Sequence, residues 1–346
     1  MQEHNRARVL AAAREEFGER GFRDAKIDSI AERAGLTRGA VYSNFPGKRA
    51  LYFAVLAESA PISDSVDPGQ TPRAALSAFA RAWAARLPLA TDERRHGPDR
   101  IGMDLLPEIL AEEPTRRTFA GLLKLDALLL ALALERLAPG PRRVRVAESV
   151  LTTLHGMSQL AAAAPGFTDP FDIALACEHL ADLGLDDTWA PPHLAWISPA
   201  RPVDERWSPP AATDAVRGVP ARLTGDGVVV VLGLHRLNAA EEAVRAAPPG
   251  SEVTAVLVTG DPAELGPLAR LAIAEVCDAL RQAFPTSTWP RLQVVHDDAA
   301  VLAAATGVTA VSNATELAVH VKAGRIVARA EGRGAGHAAA RPPRRS

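Results

Sequence analysis

The spacing of apolar residues changes once along the chain, and this change limits which folds are possible. From about residue 5 to residue 185 the apolar residues recur with the period of about 3.6 residues that helices show, interrupted by turns rich in glycine and proline. After residue 223, short β-branched runs such as GVVVVLGL and EVTAVLVTG alternate with helical stretches. Such alternation is typical of an α/β domain. The sequence therefore predicts a multidomain protein in which an all-α part precedes an α/β part.

The stretch between these two parts is rich in proline. Residues 187–221 include the run TWAPPHLAWISPARPVDERWSPPAATD, which predicts a Pro/Trp-rich linker. Tryptophan is unusual in solvated coil, so we expect part of the linker to lie against a flanking domain. The tryptophans concerned are Trp189, Trp196 and Trp207. We place the α/β domain at residues 222–332 and predict that residues 333–346 form a disordered basic tail.

Charge and cysteine content exclude several classes of protein. The 346 residues contain 39 Lys and Arg against 41 Asp and Glu, so any contact with nucleic acid must be local. Cys177 and Cys277 are the only cysteines, which excludes a disulfide scaffold and a four-cysteine zinc site. The N-terminus lacks the apolar core of a signal peptide, and apolar runs such as LDALLLALALERL fall short of the roughly 20 residues that span a bilayer. We therefore expect a cytoplasmic protein with no membrane partner, no metal and no cofactor.

Residues 27–51, IDSIAERAGLTRGAVYSNFPGKRAL, predict two short helices that meet at a tight turn. The first has an apolar face and ends at Gly35, which can take the left-handed conformation that closes a helix. Thr37 can then cap a second helix that runs to Phe45. With Val41 and Phe45 turned inward, that helix exposes small and hydrogen-bonding residues, which suit the DNA major groove. Lys48 and the first amides of the next helix offer a second phosphate site.

This region resembles a known family of DNA-binding proteins. The segments EEFGERGF and IAERAGLTRGAVYSNFPGKRAL match, almost position by position, the DNA-binding region of the tetracycline-repressor (TetR) family of transcriptional regulators. The residues that carry the resemblance are Phe17, Gly21, Phe22, Ile30, Ala31, Ala34, Gly35, Gly39, Tyr42, Phe45, Lys48 and Leu51. The resemblance implies a helix-turn-helix domain at residues 1–52 and a helical ligand-binding and dimerisation domain at residues 53–186. The alternative is a three-helix unit used for protein contact.

The resemblance also implies roles for individual residues. Phosphate contacts are expected from Thr37, Tyr42, Asn44 and Lys48, and base contacts from Arg38, Gly39, Ala40 and Ser43. Lys26 departs from the family, which usually has a Ser or Thr there to cap the second helix. Lysine cannot accept a backbone hydrogen bond, so the cap is either lost or supplied by Asp24. Lys26 can still meet phosphate as a point charge.

The helical middle contains no recognisable catalytic motif. By resemblance, its last two helices would pair with their copies in a second subunit as a four-helix bundle, and both carry apolar stripes. The stripe residues are Val150, Leu154, Met157, Leu160, Ile173, Ala176, Leu180 and Leu183. The alternative is an ordinary bundle core, and one helix can serve both purposes.

Members of the family usually bind an effector between these helices, which changes the separation of the two DNA heads. Candidate polar lining residues are Asp104, Glu108, Lys124, Asp126, His155 and Gln159. For each, a solvated or paired surface residue is the alternative. His155 is the strongest candidate because the adjacent Gly156 leaves room for a ligand or for close helix packing.

The C-terminal order of strands and helices resembles a thioredoxin-like or redoxin-type domain, although a generic α/β sandwich gives the same alternation. The redox chemistry is missing. Where thiols would follow the first strand, the sequence reads LHRLNAAEE, with His235 and Asn238 in place of cysteines. Proline is absent between Pro290 and Pro342, so the cis-proline of that fold is absent too. We expect a non-catalytic domain used for binding, intersubunit contact or sensing, in which His235 is a ligand contact or a helix-start residue.

The sequence thus predicts a homodimeric TetR-like repressor of a palindromic operator, controlled by a small molecule that the residues do not identify. Two alternatives remain. One is a redox sensor in which Cys177 and Cys277 oxidise. The other is an enzyme domain fused to a DNA-binding head, although residues 221–336 show no nucleophile, carboxylate pair or metal-ligand cluster.

Overall fold

The computed structural model describes residues 2–59, 67–87, 98–188 and 191–341, and the predicted order of an all-α part before an α/β part is confirmed. The helices of the first part are α1 (Gln2–Asp24), α2 (Ile27–Arg33), α3 (Arg38–Asn44), α4 (Lys48–Ser59), α5 (Pro72–Ala84), α6 (Leu105–Leu110), α7 (Glu113–Leu137), α8 (Val144–Ala163) and α9 (Pro170–Leu180). A 3-10 helix, Pro98–Asp104, precedes α6.

Side-chain caps begin several of these helices. Thr71 accepts a hydrogen bond from the amide of Ala74 at the start of α5, and Asp169 accepts one from the amide of Phe171 at the start of α9. Proline occupies the first turn in both cases, where its missing N–H costs nothing.

Helices α1, α2 and α3 form a small head that is joined to the body by α4. The ring of Phe17 packs edge-on against Tyr52 of α4, with ring centroids 5.3 Å apart. The hydroxyl of Tyr52 donates to the carbonyl oxygen of Ile101 in the body. One aromatic side chain therefore contacts both the head and the helices beyond it.

The second part is built on a sheet with strand order β1-β8-β7-β4-β5-β6 in the described residues. Its strands are β1 (Arg201–Arg206), β4 (Gly227–Gly233), β5 (Glu252–Val258), β6 (Leu292–His296), β7 (Glu316–Lys322) and β8 (Arg325–Glu331), while β2 (Thr213–Asp214) and β3 (Val219–Pro220) form a separate short pair. Its helices are α10 (Ala239–Ala246), α11 (Leu265–Ala283), α12 (Val301–Ala305) and α13 (Ala335–Ala340).

The central strand β4 is buried on both faces, which explains its continuous run of valines. It runs parallel to β5 and antiparallel to β7, with Val230 opposite Ala255 and Ala318. Alternate residues enter different cores. Val230 belongs to the core shared with α10 and α11, whereas Val231 belongs to a smaller core on the other side.

The predicted linker is too long at its C-terminal end. Residues 201–206 belong to the sheet, because β1 pairs antiparallel with β8 and covers its edge. Pro202 is tolerated there because β1 is an edge strand. The indole N–H of Trp207 donates to the carbonyl oxygen of Leu223 at 2.6 Å, so this part of the segment does lie against a domain. Trp196 is 87% exposed, and Trp189 lies outside the described residues.

The predicted disordered tail from residue 333 is also wrong in its first half. Residues 335–340 form α13, which is almost entirely buried against α10 and β7. Glu316 accepts hydrogen bonds from the amides of Gly334 at 2.6 Å and Ala335 at 3.2 Å, so a buried carboxylate holds the start of the helix. Residues 342–346 of the tail lie outside the described residues.

The two parts are packed together through α11, which contacts α4, α5 and α7. The backbones approach closely at Gly121 of α7, where an added Cβ would lie 2.8 Å from the carbonyl oxygen of Leu234. A single apolar core therefore runs through both predicted domains. Within the described ranges, the helices are each too short or too polar to cross a membrane.

Candidate nucleic-acid interface and ligand cavity

The turn between α2 and α3 is closed by a Schellman motif. Gly35 has a φ of +60°, and its amide donates to the carbonyl of Glu32 while the amide of Leu36 donates to that of Ala31, both at 2.9 Å. A Cβ at Gly35 would lie 2.7 Å from Nη2 of Arg8. The predicted role of this glycine is confirmed, and its left-handed backbone conformation disfavours a residue with a side chain.

Helix α3 begins as predicted. Thr37 accepts a hydrogen bond from the amide of Ala40 at 3.2 Å, and Val41 and Phe45 are buried against the rest of the head. The aromatic side chain of Tyr42 is 41% exposed. The outward side of α3 thus combines small residues with Tyr42 and Arg38, a surface that fits a major groove.

Several predicted DNA contacts already have partners within the head. The guanidinium of Arg38 lies 3.3 Å from the carboxylate of Asp28 and 5.6 Å from the ring centroid of Tyr42. Ser43 and Asn44 both donate to the carbonyl oxygen of Ala40, at 2.9 and 2.8 Å. The pair with Asp28 is exposed and screened by solvent, so DNA can displace it at little cost.

Lys48 has a structural role that the sequence did not reveal. Its Nζ donates to the carbonyl oxygens of Arg23 and Ala25, each at 3.1 Å, and lies 4.6 Å from the ring centroid of Phe22. A cation at the end of α1 compensates the unsatisfied carbonyls there. A phosphate contact by Lys48 therefore has to share the ammonium group with these bonds.

Lys26 occupies the N-cap position of α2 in an extended conformation, and its side chain makes no capping bond. Its amide instead donates to Oε1 of Glu16 at 3.3 Å. Glu16 is fully buried and also pairs with Arg20 and Arg33. Of the two possibilities for this residue, the structure shows the cap lost at Lys26, with the exposed ammonium left available for phosphate.

The predicted dimer residues divide into two groups. Val150, Leu154 and Met157 are at most 1% exposed and belong to the core of their own subunit, so the prediction that they face a partner is wrong. Ile173 and Leu180 are partly buried against the same core. The exposed large apolar residues in this region are Leu160, Phe167, Phe171, Leu175, Leu183 and Leu185. Periodicity located the apolar stripes but could not tell which stripe faces inward.

A cavity of about 360 Å³ lies between α5, α6, α7, α8 and α11. His155, Gly156 and Gln159 line it, and an added Cβ at Gly156 would meet nothing within 4 Å. Gly156 therefore leaves open space, which can hold a ligand, and is not required for close packing of helices.

The other four predicted lining residues are not among the described residues that line the cavity. Asp104 accepts a hydrogen bond from the amide of Phe22 at 2.7 Å and so ties the head to the body. Lys124 forms an exposed ion pair with Glu148. Glu108 is not among the described lining residues, and burial raises the pKa of its carboxyl. Asp126 is buried in α7, and burial raises the pKa of its carboxyl well above the usual range.

His155 lies between two aromatic rings on the cavity wall. Its ring centroid is 5.0 Å from that of Trp83 and 5.8 Å from that of Phe119, both edge-on. Burial lowers the pKa of His155 to about 4, so the imidazole is neutral at neutral pH. Its Nε2 is buried and has no hydrogen-bond partner in the part of the chain that the structure describes.

Arg86 and Glu275 are cavity residues that the sequence analysis missed. Nη1 of Arg86 donates to the carbonyl oxygen of Glu275 at 2.7 Å, and the guanidinium lies 5.1 Å from the ring centroid of Trp83. Its Nη2 is buried and finds no acceptor among the described residues. Glu275 and Leu271 belong to α11, so the α/β part forms one wall of the cavity. No local pattern could have indicated this, because the wall is assembled from residues about 190 positions apart.

Arg49 connects α4 to both parts of the body. Its Nε donates to Glu264 at 2.7 Å, and its Nη2 lies 2.9 Å from the carboxylate of Glu112. Glu264 immediately precedes α11, and Glu112 immediately precedes α7. The helix that leaves the DNA-binding head is therefore held at its first turn by an ion-pair cluster.

The residues considered for other chemistry are buried or engaged. Cys177 and Cys277 are fully buried, and burial raises the pKa of the Cys177 thiol to about 12 and that of Cys277 further. Nε2 of His235 lies 3.3 Å from the carbonyl oxygen of Pro114, across the contact between the two parts. Among the described residues, no group of three or more His, Cys, Asp or Glu side chains is placed to hold a metal ion.

The head has the geometry of a helix-turn-helix DNA-binding domain: a glycine-closed helix, a capped second helix and an outward face of small and polar groups. The profile of the family described as "Bacterial regulatory proteins, tetR family" matches residues 9–55. These residues are therefore a TetR-family N-terminal helix-turn-helix domain.

Known transcriptional regulators are similar to this chain. The HTH-type transcriptional regulator SrpR of Pseudomonas putida is 51% identical over 55 residues, which are 16% of this chain and 26% of SrpR. The uncharacterized HTH-type transcriptional regulator TtgW, also of Pseudomonas putida, is 52% identical over 52 residues, 15% of this chain and 39% of TtgW. The match thus spans well under two thirds of either relative. The crystal structure of NalD from Pseudomonas aeruginosa is 23% identical with a TM-score of 0.35, covering 55% of this chain and 100% of NalD.

Proposed function

We propose that this protein is a homodimeric TetR-like transcriptional repressor that binds a palindromic operator, responds to a small-molecule effector and carries a redox-inactive, thioredoxin-like accessory domain. The observation that carries the proposal is the head itself, in which Gly35 and Thr37 hold α3 with its small, polar side turned outward. A dimer that occupies promoter DNA needs no further contact to exclude polymerase, which favours repression.

The size of α3 supports a two-fold operator. Its seven residues are about 10 Å long, so one head can read only part of one turn of the major groove. Two heads related by two-fold symmetry would read half-sites about 34 Å apart or a multiple of that distance.

The outer surface of α8 and α9 supports the proposal that the protein is a dimer. Phe171 and Leu175, one helical turn apart on α9, are 77% and 51% exposed, and Leu160 of α8 is 37% exposed. Monomers rarely expose large apolar side chains in a group, and such a patch marks an interface. Partner contact would thus involve the outward stripe of α9 rather than the buried residues of α8.

Two observations support an accessory role for the α/β domain. Parallel strands β4, β5 and β6 are followed by the antiparallel pair β7 and β8, which is the order of elements that carries the thioredoxin-like resemblance. The position that would follow the first strand with a thiol holds His235, which contacts α7 instead. We propose that this domain acts through contacts and is not an enzyme. Burial of both cysteines disfavours the redox-sensor alternative.

Selection of binding sites from random duplex DNA with the full chain tests the DNA-binding proposal. An enriched inverted repeat is expected, and the absence of an enriched site, or an unpaired half-site, would refute it. Tyr42→Ala should weaken binding to all sequences, whereas Arg38→Ala should relax base preference. Equal loss on cognate and random DNA would show that Arg38 holds only phosphate. Arg333→Ala, an exposed arginine in the α/β domain, is the matched control and should change neither.

Sedimentation of the full chain tests the dimer. The double substitution Phe171→Asp with Leu175→Asp should give a monomer with weakened operator binding, because two charges would be buried in the interface. Val301→Asp replaces a residue of similar exposure on α12 and should leave a dimer. A wild-type monomer, or a dimer that survives the α9 substitutions, would refute this interface.

A further inference from the structure

The cavity combines apolar walls with one unsatisfied cationic donor. Most of its lining is leucine, isoleucine, methionine and aromatic side chains. Among its polar groups, Ser158 accepts from the indole N–H of Trp83 at 3.0 Å and donates to the carbonyl of Leu154 at 2.9 Å, so both its roles are filled. Nη2 of Arg86 and Nε2 of His155 are buried without a partner in the described residues. Two unsatisfied nitrogens therefore belong to residues that line one largely apolar space.

The unsatisfied guanidinium group is the more costly of the two. Arginine stays protonated in proteins, and a buried charge that lacks a full set of hydrogen bonds is strongly unfavourable. In the described part of the chain, no carboxylate lies within ion-pair distance of Arg86; Glu275 is near, but the contact is to its backbone carbonyl. Burial lowers the pKa of Arg86 and raises that of Glu275, and in each case this effect exceeds that of the attraction between the two side chains. An anionic group in the cavity would supply the missing acceptor.

The aromatic groups define the rest of the ligand. Trp83 lies beneath Arg86, and His155 stands edge-on to Trp83 and Phe119. A flat ring system placed beside these groups would bury its faces against aromatic and aliphatic carbon. The volume of about 360 Å³ accommodates a ligand of two or three fused or linked rings.

We propose that this cavity binds an aromatic monoanion whose acidic group pairs with Arg86, and that α11 of the α/β domain forms part of the binding site through Leu271 and Glu275. The inference rests on the proposed effector function and specifies the chemical class of the effector. It also gives the accessory domain a defined role, because α11 completes the wall of the sensing site. The same helix is preceded by Glu264, which holds Arg49 of α4, so ligand contacts on α11 lie one helix away from the DNA-binding head.

Two fluorescent probes with nearly the same ring system test the proposal. Anilinonaphthalene sulfonate is an aromatic monoanion, and phenylnaphthylamine is its neutral analogue. Both are titrated into the full chain, and the ratio of their affinities is compared between wild type and variants. Arg86→Met should lower the anion-to-neutral ratio by about tenfold or more, because a charge-assisted hydrogen bond is lost. An unchanged ratio in folded Arg86→Met protein would overturn the assignment of the anion site.

Further variants keep the test decisive if Arg86→Met does not fold. Glu275→Gln keeps the guanidinium and removes a competing negative charge, so it should raise the ratio at least threefold, and an unchanged or lower ratio would contradict the proposal. Leu271→Trp fills the cavity from the α11 side and should weaken both probes at least tenfold. Unaltered binding of both probes would show that α11 does not line their site.

The effector proposal and the regulator proposal fail separately. Operator affinity is measured on the same proteins without probe. If the wild type binds the operator but Arg86→Met leaves the anion-to-neutral affinity ratio unchanged, only the proposed ligand class is refuted. Protein that shows the preference but binds no operator refutes the regulator and leaves the cavity assignment standing.

Discussion

The ion pair between Arg49 and Glu264 is expected to stabilise the junction between the DNA-binding head and the α/β domain. The side chains are 16% and 17% exposed, and the closest N···O distance is 2.6 Å. Hydrogen bonds between charged groups that are largely removed from water contribute about 1.5–3 kcal/mol. A double-mutant cycle of Arg49→Met and Glu264→Gln should therefore give a coupling free energy of about 2 kcal/mol.

Glu112 provides an internal control for this prediction. It pairs with the same guanidinium at 2.9 Å, but its side chain is 55% exposed. Exposed pairs contribute about 0.2–1 kcal/mol, so the cycle of Arg49→Met with Glu112→Gln should give less than half the coupling of the first.

Urea unfolding at 25 °C, followed by both circular dichroism and tryptophan fluorescence, measures the four corners of each cycle. Coincident transitions are required for the free energies to be compared. Coupling to Glu264 below about 0.5 kcal/mol, or equal to that of Glu112, would refute the view that burial strengthens the contact between α4 and the start of α11.

Three further perturbations have defined outcomes. Lys48→Met should lower the salt slope of DNA binding by about one unit, because one phosphate contact is lost. It should also destabilise the protein by about 1 kcal/mol, because two carbonyls at the end of α1 lose their donor. Unchanged thermal stability would contradict the structural role of Lys48. Burial lowers the pKa of His155 from the ordinary 6.5 to about 4, so the unfolded chain takes up a proton at higher pH than the folded protein. The wild type should therefore lose up to about 3 kcal/mol of stability as pH falls from 6.5 to 4. In urea titrations, His155→Phe should reduce this pH dependence. Gly121→Ala should destabilise the protein by about 1–3 kcal/mol, because the added Cβ clashes with the carbonyl of Leu234. Gly156→Ala, whose added Cβ meets nothing within 4 Å, should stabilise the protein by about 0.5–1 kcal/mol. Equal changes in melting temperature for the two variants would refute the close approach at Gly121.

The helix-turn-helix could be predicted from the sequence because its determinants are local. The Schellman bonds of Gly35 and Leu36 reach back no more than five residues, and the Thr37 cap reaches forward three. Each is set by the backbone preferences and side-chain oxygens of adjacent residues. A short segment of sequence is therefore sufficient to predict this motif.

Lys48 and the edge strand β1 have distant partners that local reasoning did not identify. The position of Lys48 at the start of α4 predicts a phosphate contact, but its partners are at the end of α1, 23 and 25 residues away. The proline content of residues 187–221 indicates a linker, yet β1 and Trp207 are held by β8 and Leu223. Pairing with a distant strand supplied the hydrogen bonds that the local pattern could not indicate.

The sequence by itself determined the helical period of the first part, the glycine and threonine that shape the turn, and the alternation of strands and helices in the second part. These follow from the conformational preferences and hydrophobic spacing of neighbouring residues. Only the tertiary structure decided which apolar stripe of α8 faces inward, that α11 packs against α4, α5 and α7, and that Arg86 and Glu275 meet at one cavity. Burial and long-range contacts are properties of the packed chain, because the hydrophobic effect rewards apolar area removed from water without specifying which surface covers it.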